Sequence, residues 1–324
     1  MALPSSGEIK ISDILDEAGL STSLANASLA GLENEQYFTI NSDNDAANYP
    51  DGSAPASISE WYSYDHDFVG TIANDYSWDF NNANTGLQFD RASGTAFSTG
   101  SDISISFWVR PNWADSDTNS LLFEASTGSS SDRFFLTYDY GLNRFIARHR
   151  SNGTNSRGTH WNLNSNSTQT GISSGKWHSG NAGNVTLGNH CHIVLTYDAS
   201  AASGTAAFDL YWNGAKLTNK LTNLTATITP FNMEEIFINK NVLNTNSSRE
   251  ASYDNVALFH DKILTQSEIT ALAAGIGGTP EAVSLDDNVA FIFDAENDPP
   301  TAVSGSDYNT TWTVTDDNGR SLSY

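Results

Sequence analysis

The side chains best equipped to hold an outside ligand crowd into one stretch of the chain. Arg144, Arg148, Arg150 and Arg157 are four of its nine arginines, and His149 and His160 lie among them. A guanidinium fork binds carboxylates and similar anions through paired hydrogen bonds, so this basic cluster is a candidate contact for an acidic neighbour or an anionic glycan. The competing reading is an exposed strand and loop with ordinary solvated charges. Trp113, Trp161 and Trp177 sit in polar, loop-like surroundings. Sugar rings stack on such aromatics through their apolar C–H faces, although a loop tryptophan more commonly anchors its loop to the core. Arg157, His160, Trp161, Lys176, Trp177 and His178 all fall within Ser151–Gly183, a stretch rich in Asn, Ser and Gly that reads as the longest loop. The expectation is a contact surface for a second subunit, preferred here, or for a glycan.

Catalytic patterns are weak in the string. It holds no Glu-x-Asp-x-x-Glu run to flank a glycosidic bond and no phosphate-binding glycine loop, and Gly171-Ile-Ser-Ser-Gly175, which has Gly-x-Ser-x-Gly spacing, falls in the loop-like stretch without the preceding strand a nucleophile elbow needs. Glu234 and Glu235 are adjacent, so on a strand they face opposite sides. The expectation is a protein that is not an enzyme. His190 and His192 would share a strand face and could hold zinc together, but no third ligand lies nearby in sequence, and structural roles are preferred. Cys191, the single cysteine, reads as a small buried hydrophobe.

The charge is lopsided. Thirty-eight acidic residues against 15 basic ones give −23, and no Lys or Arg occurs from Ile11 to Asp90. Nucleic acid and anionic membranes are therefore poor partners. No stretch approaches the ~18 apolar residues of a membrane-spanning helix, so no membrane insertion is expected. Met1–Leu20 has neither a basic start nor a long apolar run, and reads as ordinary protein made in a cytoplasm.

These groups must be positioned mainly by strands. Ile103, Ile105, Phe107 and Val109 alternate with Ser104, Ser106, Trp108 and Arg110 up to Pro111, which reads as a half-buried strand. Phe134–Tyr138 and Arg144–Arg148 form a predicted pair around an Asp139–Asn143 turn. His192–Tyr197, Phe208–Trp212 into the Asn213-Gly214 hairpin turn, Glu235–Asn239 and Asn255–Phe259 add further strands. Thr265-x-x-Glu268 is a capping box opening a late helix to Ala274 that Gly275 stops. Residues 1–67 predict a short helix, Ser12–Ala18, capped by Ser12 or Asp13, then a loop at Asn41–Pro55 and capping-box spacing at Ser57–Glu60. Residues 278–324 carry strand-like runs at Val289–Phe293 and Thr311–Thr315. Many strands with one late helix predict a mainly β, antiparallel sandwich over 68–277, with 278–324 completing its edge or packing on a partner subunit.

The middle region resembles the concanavalin A/laminin-G-like jelly-roll superfamily through motifs in the same order. These are Gly86-Leu-Gln-Phe-Asp90, Ile103-Ser-Ile-Ser-Phe-Trp-Val-Arg-Pro111, His190-Cys-His-Ile-Val-Leu-Thr-Tyr-Asp198, Leu210-Tyr-Trp-Asn-Gly214, Tyr253-Asp-Asn-Val-Ala-Leu-Phe259 and Leu264-Thr-Gln-Ser-Glu-Ile269. His190 stands where Trp is usual and Cys191 where His is usual. Gly7-Glu-Ile-Lys-Ile-Ser-Asp-Ile14, followed by Ser57-Ile-Ser-Glu-Trp-Tyr62, is similar to leader segments of tailed-phage structural proteins. Together the resemblances imply a virion component, a fibre, baseplate-associated or capsid-decorating protein. In that picture residues 1–67 dock on other virion proteins and the jelly roll is displayed for host-surface glycan attachment. A homo-oligomer, with a trimer as the expected state, follows from the same source. The alternatives are a bacterial carbohydrate-binding or adhesion module and, third, a polysaccharide depolymerase. The superfamily often holds Ca²⁺ at the sandwich rim, which makes Asp254 with Asp90 or Asp79 the implied calcium set; the other reading is that Asp254 caps a turn.

Overall fold

Period-two alternation is satisfied by strands that put one face into a shared core, and most of the chain folds that way. The computed structural model describes residues 3, 9–18, 20–22, 27–34, 36–37, 57, 61–62, 64, 77–80, 85–114, 119–185, 190–202, 207–240, 242, 249–274, 288–293, 302–303, 310–316 and 320–323. The expected loop Asn41–Pro55, most of the box at Ser57–Glu60 and the helix stop at Gly275 lie outside the described residues. The chain divides into two units, Met1–Ile72 and Ala73–Tyr324.

The first unit contains α1 (Ile11–Glu17) and α2 (Leu29–Glu33). The first helix starts one residue before the expected Ser12. Lys10 is its N-cap, and Asp13, in the first turn, reaches back to accept from the Lys10 amide at 2.8 Å. Leu3, Ile9, Ile14, Leu15, Leu32, Trp61 and Tyr64 bury a small core.

The second unit is a two-sheet sandwich. Its strands are β1 (Ser77–Phe80), β2 (Leu87–Ser93), β3 (Phe97–Ser98), β4 (Ile103–Pro111), β5 (Ser120–Ser126), β6 (Arg133–Asp139), β7 (Arg144–Ser151), β8 (Thr154–Asn162), β9 (Cys191–Tyr197) and β10 (Phe208–Trp212). There follow β11 (Ala215–Lys216), β12 (Lys220–Thr225), β13 (Asn232–Met233), β14 (Glu235–Ile238), β15 (Ala251–His260), β16 (Val289–Phe293), β17 (Ala302–Val303), β18 (Thr311–Asp316) and β19 (Arg320–Ser323). Two short helices join them: α3 (Ser167–Thr170), between β8 and β9, and α4 (Gln266–Leu272), after β15. One sheet runs β11-β10-β9-β4-β15-β1-β19, with β16 and β17 attached through β15. The other runs β12-β8-β7-β6-β5-β14-β2-β18. Every pairing recorded between these strands is antiparallel, from β4 with β9 to β7 with β8. This is the expected antiparallel jelly-roll sandwich. Residues 278–324 supply β16 to β19 to its sheets.

The core lies between the sheets, with Phe89, Phe107, Phe134, Leu195, Leu210 and Ile236 among its buried members. The outer face of the first sheet is also closed. There α4, opened by its Thr265–Glu268 capping box, lays Ile269 and Leu272 against Val194, Tyr211, Ala257 and Phe259. β4, expected to be half-buried, is buried on both sides apart from Arg110, because on its outer face Ser104 bonds the Lys262–Leu264 backbone, Ser106 meets His192 and Trp108 packs on the His192 ring.

The stretch Ser151–Gly183 is a correction. It is not one long loop: it holds β8, a 3-10 turn (Asn164–Asn166) and α3. Its Asn and Thr side chains, which weaken regular structure in isolation, bond the local backbone here. Asn166 donates to the carbonyls of Asn162 (2.8 Å) and Asn219 (3.0 Å), and Thr170 donates to those of Leu163 and Asn166. Gly183 closes the stretch where a Cβ would stand 2.2 Å from the Thr170 carbonyl.

Candidate functional site

Strand parity sorts the expected contact residues before any distance is measured. On β8, Arg157, Thr159 and Trp161 share one face, and Gly158, His160 and Asn162 share the other. The first set faces inward. Trp161 and Trp177 are fully buried and Trp113 is 1% exposed, all three in the sandwich core. Trp113 donates its indole N–H to the Trp177 carbonyl at 2.7 Å, and their rings meet edge-on at 5.0 Å. Trp177 also packs edge-on against Tyr138 and Trp212. The expected stacking surface is thus corrected: these rings anchor the segment, and none of them can meet a sugar or a subunit. Arg157 is corrected with them. It is 6% exposed, and its guanidinium donates to the Ala201 carbonyl at 2.6 Å and to those of Asp198 and Ala226. It clamps the rim of the sandwich.

The basic cluster divides. Arg150 turns to its own hairpin and donates to the Gly153 carbonyl at 2.9 Å. Arg144, Ile146 and Arg148 alternate along the outer face of β7, where Ile146 pairs with His160 and Arg144 with Asn162 of β8. Across β8, His160 pairs with Leu221 of the edge strand β12. This register gathers Leu142, Arg144, His160, Asn162, Ser165, Asn219, Lys220 and Leu221 around an open groove of about 400 Å³, within the size range of small-molecule sites.

Each wall has a local cause. At the β6–β7 turn, Asn143 adopts φ 47°, and its side chain accepts from Tyr138 and donates to Asn164 and to the Gly175 carbonyl. Asp139 accepts from the Leu142 amide (3.2 Å) and from Arg144 Nε (3.2 Å), fixing both at the groove. On the far side Asn162 accepts from Ser165, and Asn219 donates to the Ser165 carbonyl. Leu142 and Leu221 are 55% and 63% exposed, two of four large exposed hydrophobics among the described residues. Their convergence on one groove marks it as a contact surface.

His160 forms the floor. It is 6% exposed, and neither ring nitrogen has a hydrogen-bond partner among the described residues. Burial first, then the charges of Arg144 and Arg148, push its imidazole down to about 4, so at neutral pH it offers one donor and one acceptor. Leaving such groups unsatisfied costs about 1–3 kcal/mol, which a ligand would offset. The groove is also electropositive in a strongly acidic chain. Arg144 and Lys220 line it and no carboxylate does; Arg144 pairs with Asp139, Lys220 with Asp209, and Arg148, on the same face of β7, has no ion pair among the described residues.

The expected calcium set divides. Asp79 and Asp254 lie on the outer face of the first sheet, Asp79 facing Arg110 at 3.7 Å, whereas Asp90 lies on the outer face of the other sheet. The core separates Asp90 from Asp254, which excludes that pair, whereas Asp254 and Asp79 share one face. No group of three or more His, Cys, Asp or Glu able to hold a metal occurs among the described residues. His192 is buried with its Nε2 2.9 Å from Ser106 Oγ, and burial pushes it down to about 3. Cys191 is buried, as expected of a small hydrophobe. No helix among the described residues is long and apolar enough to cross a membrane.

No family model matches the sequence, and no curated protein matches it. Solved structures with a similar backbone include the binding domain of botulinum neurotoxin serotype D (TM-score 0.43, 10% identity, 61% of this chain and 42% of that one). The binding domain of botulinum neurotoxin DC in complex with rat synaptotagmin II gives 0.38, 10% identity, 63% of this chain and 52% of that one. Trypanosoma rangeli sialidase in complex with sialic acid gives 0.36, 15% identity, 64% of this chain and 35% of that one. The chain thus spans about half of their length or less. Likeness at this level carries no argument about activity.

Proposed function

We propose that this chain is a non-enzymatic structural protein of a tailed-phage particle that presents its sandwich to a host-surface glycan through the groove at the β6–β7 turn. The observation that carries the binding half is the groove itself: two exposed leucines facing an unsatisfied imidazole and polar walls held by their own hydrogen bonds. The resemblance of Gly7–Ile14 and Ser57–Tyr62 to phage leader segments supports the virion half. No carboxylate lines the groove, Asp139 and Asp209 are committed to ion pairs with its Arg144 and Lys220, and the Ser106–His192 pair is sealed from solvent, which supports a binding role over hydrolysis.

Four measurements test this. Mass spectrometry of purified particles should find the chain as a stoichiometric component, and a chain lacking residues 1–67 should no longer assemble onto them. A trimer by light scattering is the expected state. The purified chain should bind host polysaccharide without releasing reducing ends. Absence from particles would favour the free bacterial module, and release of reducing ends would favour the depolymerase.

A further inference from the structure

We infer that the groove selects an acidic sugar, holding its carboxylate with Arg144 and Arg148 and its apolar ring face on Leu142 and Leu221. This rests on the glycan-binding reading above and names the class of glycan.

Charge is the first argument. The chain carries −23, yet the groove is lined by two cations, Arg144 and Lys220, and by no carboxylate, and Arg148 follows on the same outer face of β7. Of the Arg144 nitrogens only Nε reaches Asp139, so the terminal guanidinium nitrogens have no partner among the described residues. Arg148 is half-buried on the same face and has no hydrogen bond or ion pair among the described residues. Elsewhere on this outer face the chain supplies its own anion: Arg133 is held by the buried Glu124. A partly desolvated guanidinium without a counter-ion is costly unless a ligand brings one.

Geometry is the second argument. A carboxylate accepts two parallel bonds from a guanidinium fork. His160 lies near both Arg144 and Arg148, and burial, then their charges, keep it neutral. A neutral imidazole needs one acceptor and one donor, and a sugar hydroxyl is both. Leu142 and Leu221 flank it with apolar surface suited to C–H faces or an acyl methyl.

Sialyllactose and a glucuronate-containing tetrasaccharide, each compared with its own methyl ester, are the probes for calorimetry or NMR titration with the full chain. Esterification removes the charge and keeps the ring. The acids should bind roughly tenfold or more tightly than the esters, and the preference should shrink as salt rises. Arg148→Gln should abolish the preference with an unchanged melting temperature, whereas Leu221→Ser should weaken acid and ester alike. Equal binding of acid and ester overturns the acidic-sugar inference and leaves the glycan reading intact. A preference that survives in both Arg144→Gln and Arg148→Gln overturns the placement of the carboxylate. If neither these probes nor host polysaccharide binds, the glycan reading falls as well.

Discussion

The two outer faces of the sandwich solve the same problem in opposite ways. On the β4–β9–β15 sheet the chain covers the face itself: Ile269 and Leu272 of α4 seal Val194, Tyr211, Ala257 and Phe259, and β4 is buried on both sides. On the β6–β7–β8 sheet the outer positions of β7 remain partly open, and Arg144 and Arg148 occupy them. On the sealed face Ser106 Oγ meets His192 Nε2, and the His192 Nδ1 that has no partner among the described residues is shut away from any ligand. On the open face both ring nitrogens of His160 lack a partner among the described residues beside a groove that a ligand can enter. A binding site belongs on the second kind of face.

The largest expected effect is acid sensitivity, and it reads both faces together. His192 on the sealed face is held at about 3, and His149 and His160 at about 4, below the ordinary 6.5. Each is neutral in the fold and takes a proton in the unfolded chain below about pH 6.5. Stability is therefore full above that pH and is lost as pH falls toward 3 to 4, by up to ~1.4 kcal/mol per histidine for each pH unit crossed. Thermal melts against pH measure the loss. In NMR titrations His160 should titrate before His192; the reverse order would break the contrast between an open and a sealed face.

Leu272→Ala removes a fully buried side chain from the sealed face and should cost about 2–5 kcal/mol in denaturant melts. Thr265→Ala removes the cap that starts the sealing helix and should cost ~1 kcal/mol by the same measurement. Leu221→Ser on the open face should change stability by no more than about 0.5 kcal/mol while weakening saccharide binding. If Leu221→Ser proves as destabilising as Leu272→Ala, the groove is packing and not a site.

Local chemistry was enough to place much of the architecture. Alternation marked Ile103–Val109 and Phe208–Trp212 as strands. Asn213-Gly214 marked a hairpin because both residues must take positive φ, and they do, at 47° and 79°. Thr265 and Glu268 marked a helix start, since the two side chains satisfy each other's backbone amides. Strand parity carries one more local signal. Arg157 and Trp161 differ from His160 by odd numbers of positions, so on one strand they could never have shared its face. Whether the tryptophans are exposed was beyond local reading, because the Asn, Ser and Gly around Trp113, Trp161 and Trp177 say nothing of the distant Tyr138 and Trp212 that help bury them. The groove needed the tertiary structure outright. Residues 142–144, 160–165 and 219–221 meet only through the β12–β8–β7 register, and Leu221 carries no local signal of its own. Hydrogen bonding along a strand is encoded nearby, but which strand lies beside which, and which face the chain leaves uncovered, is settled by burying the whole core at once.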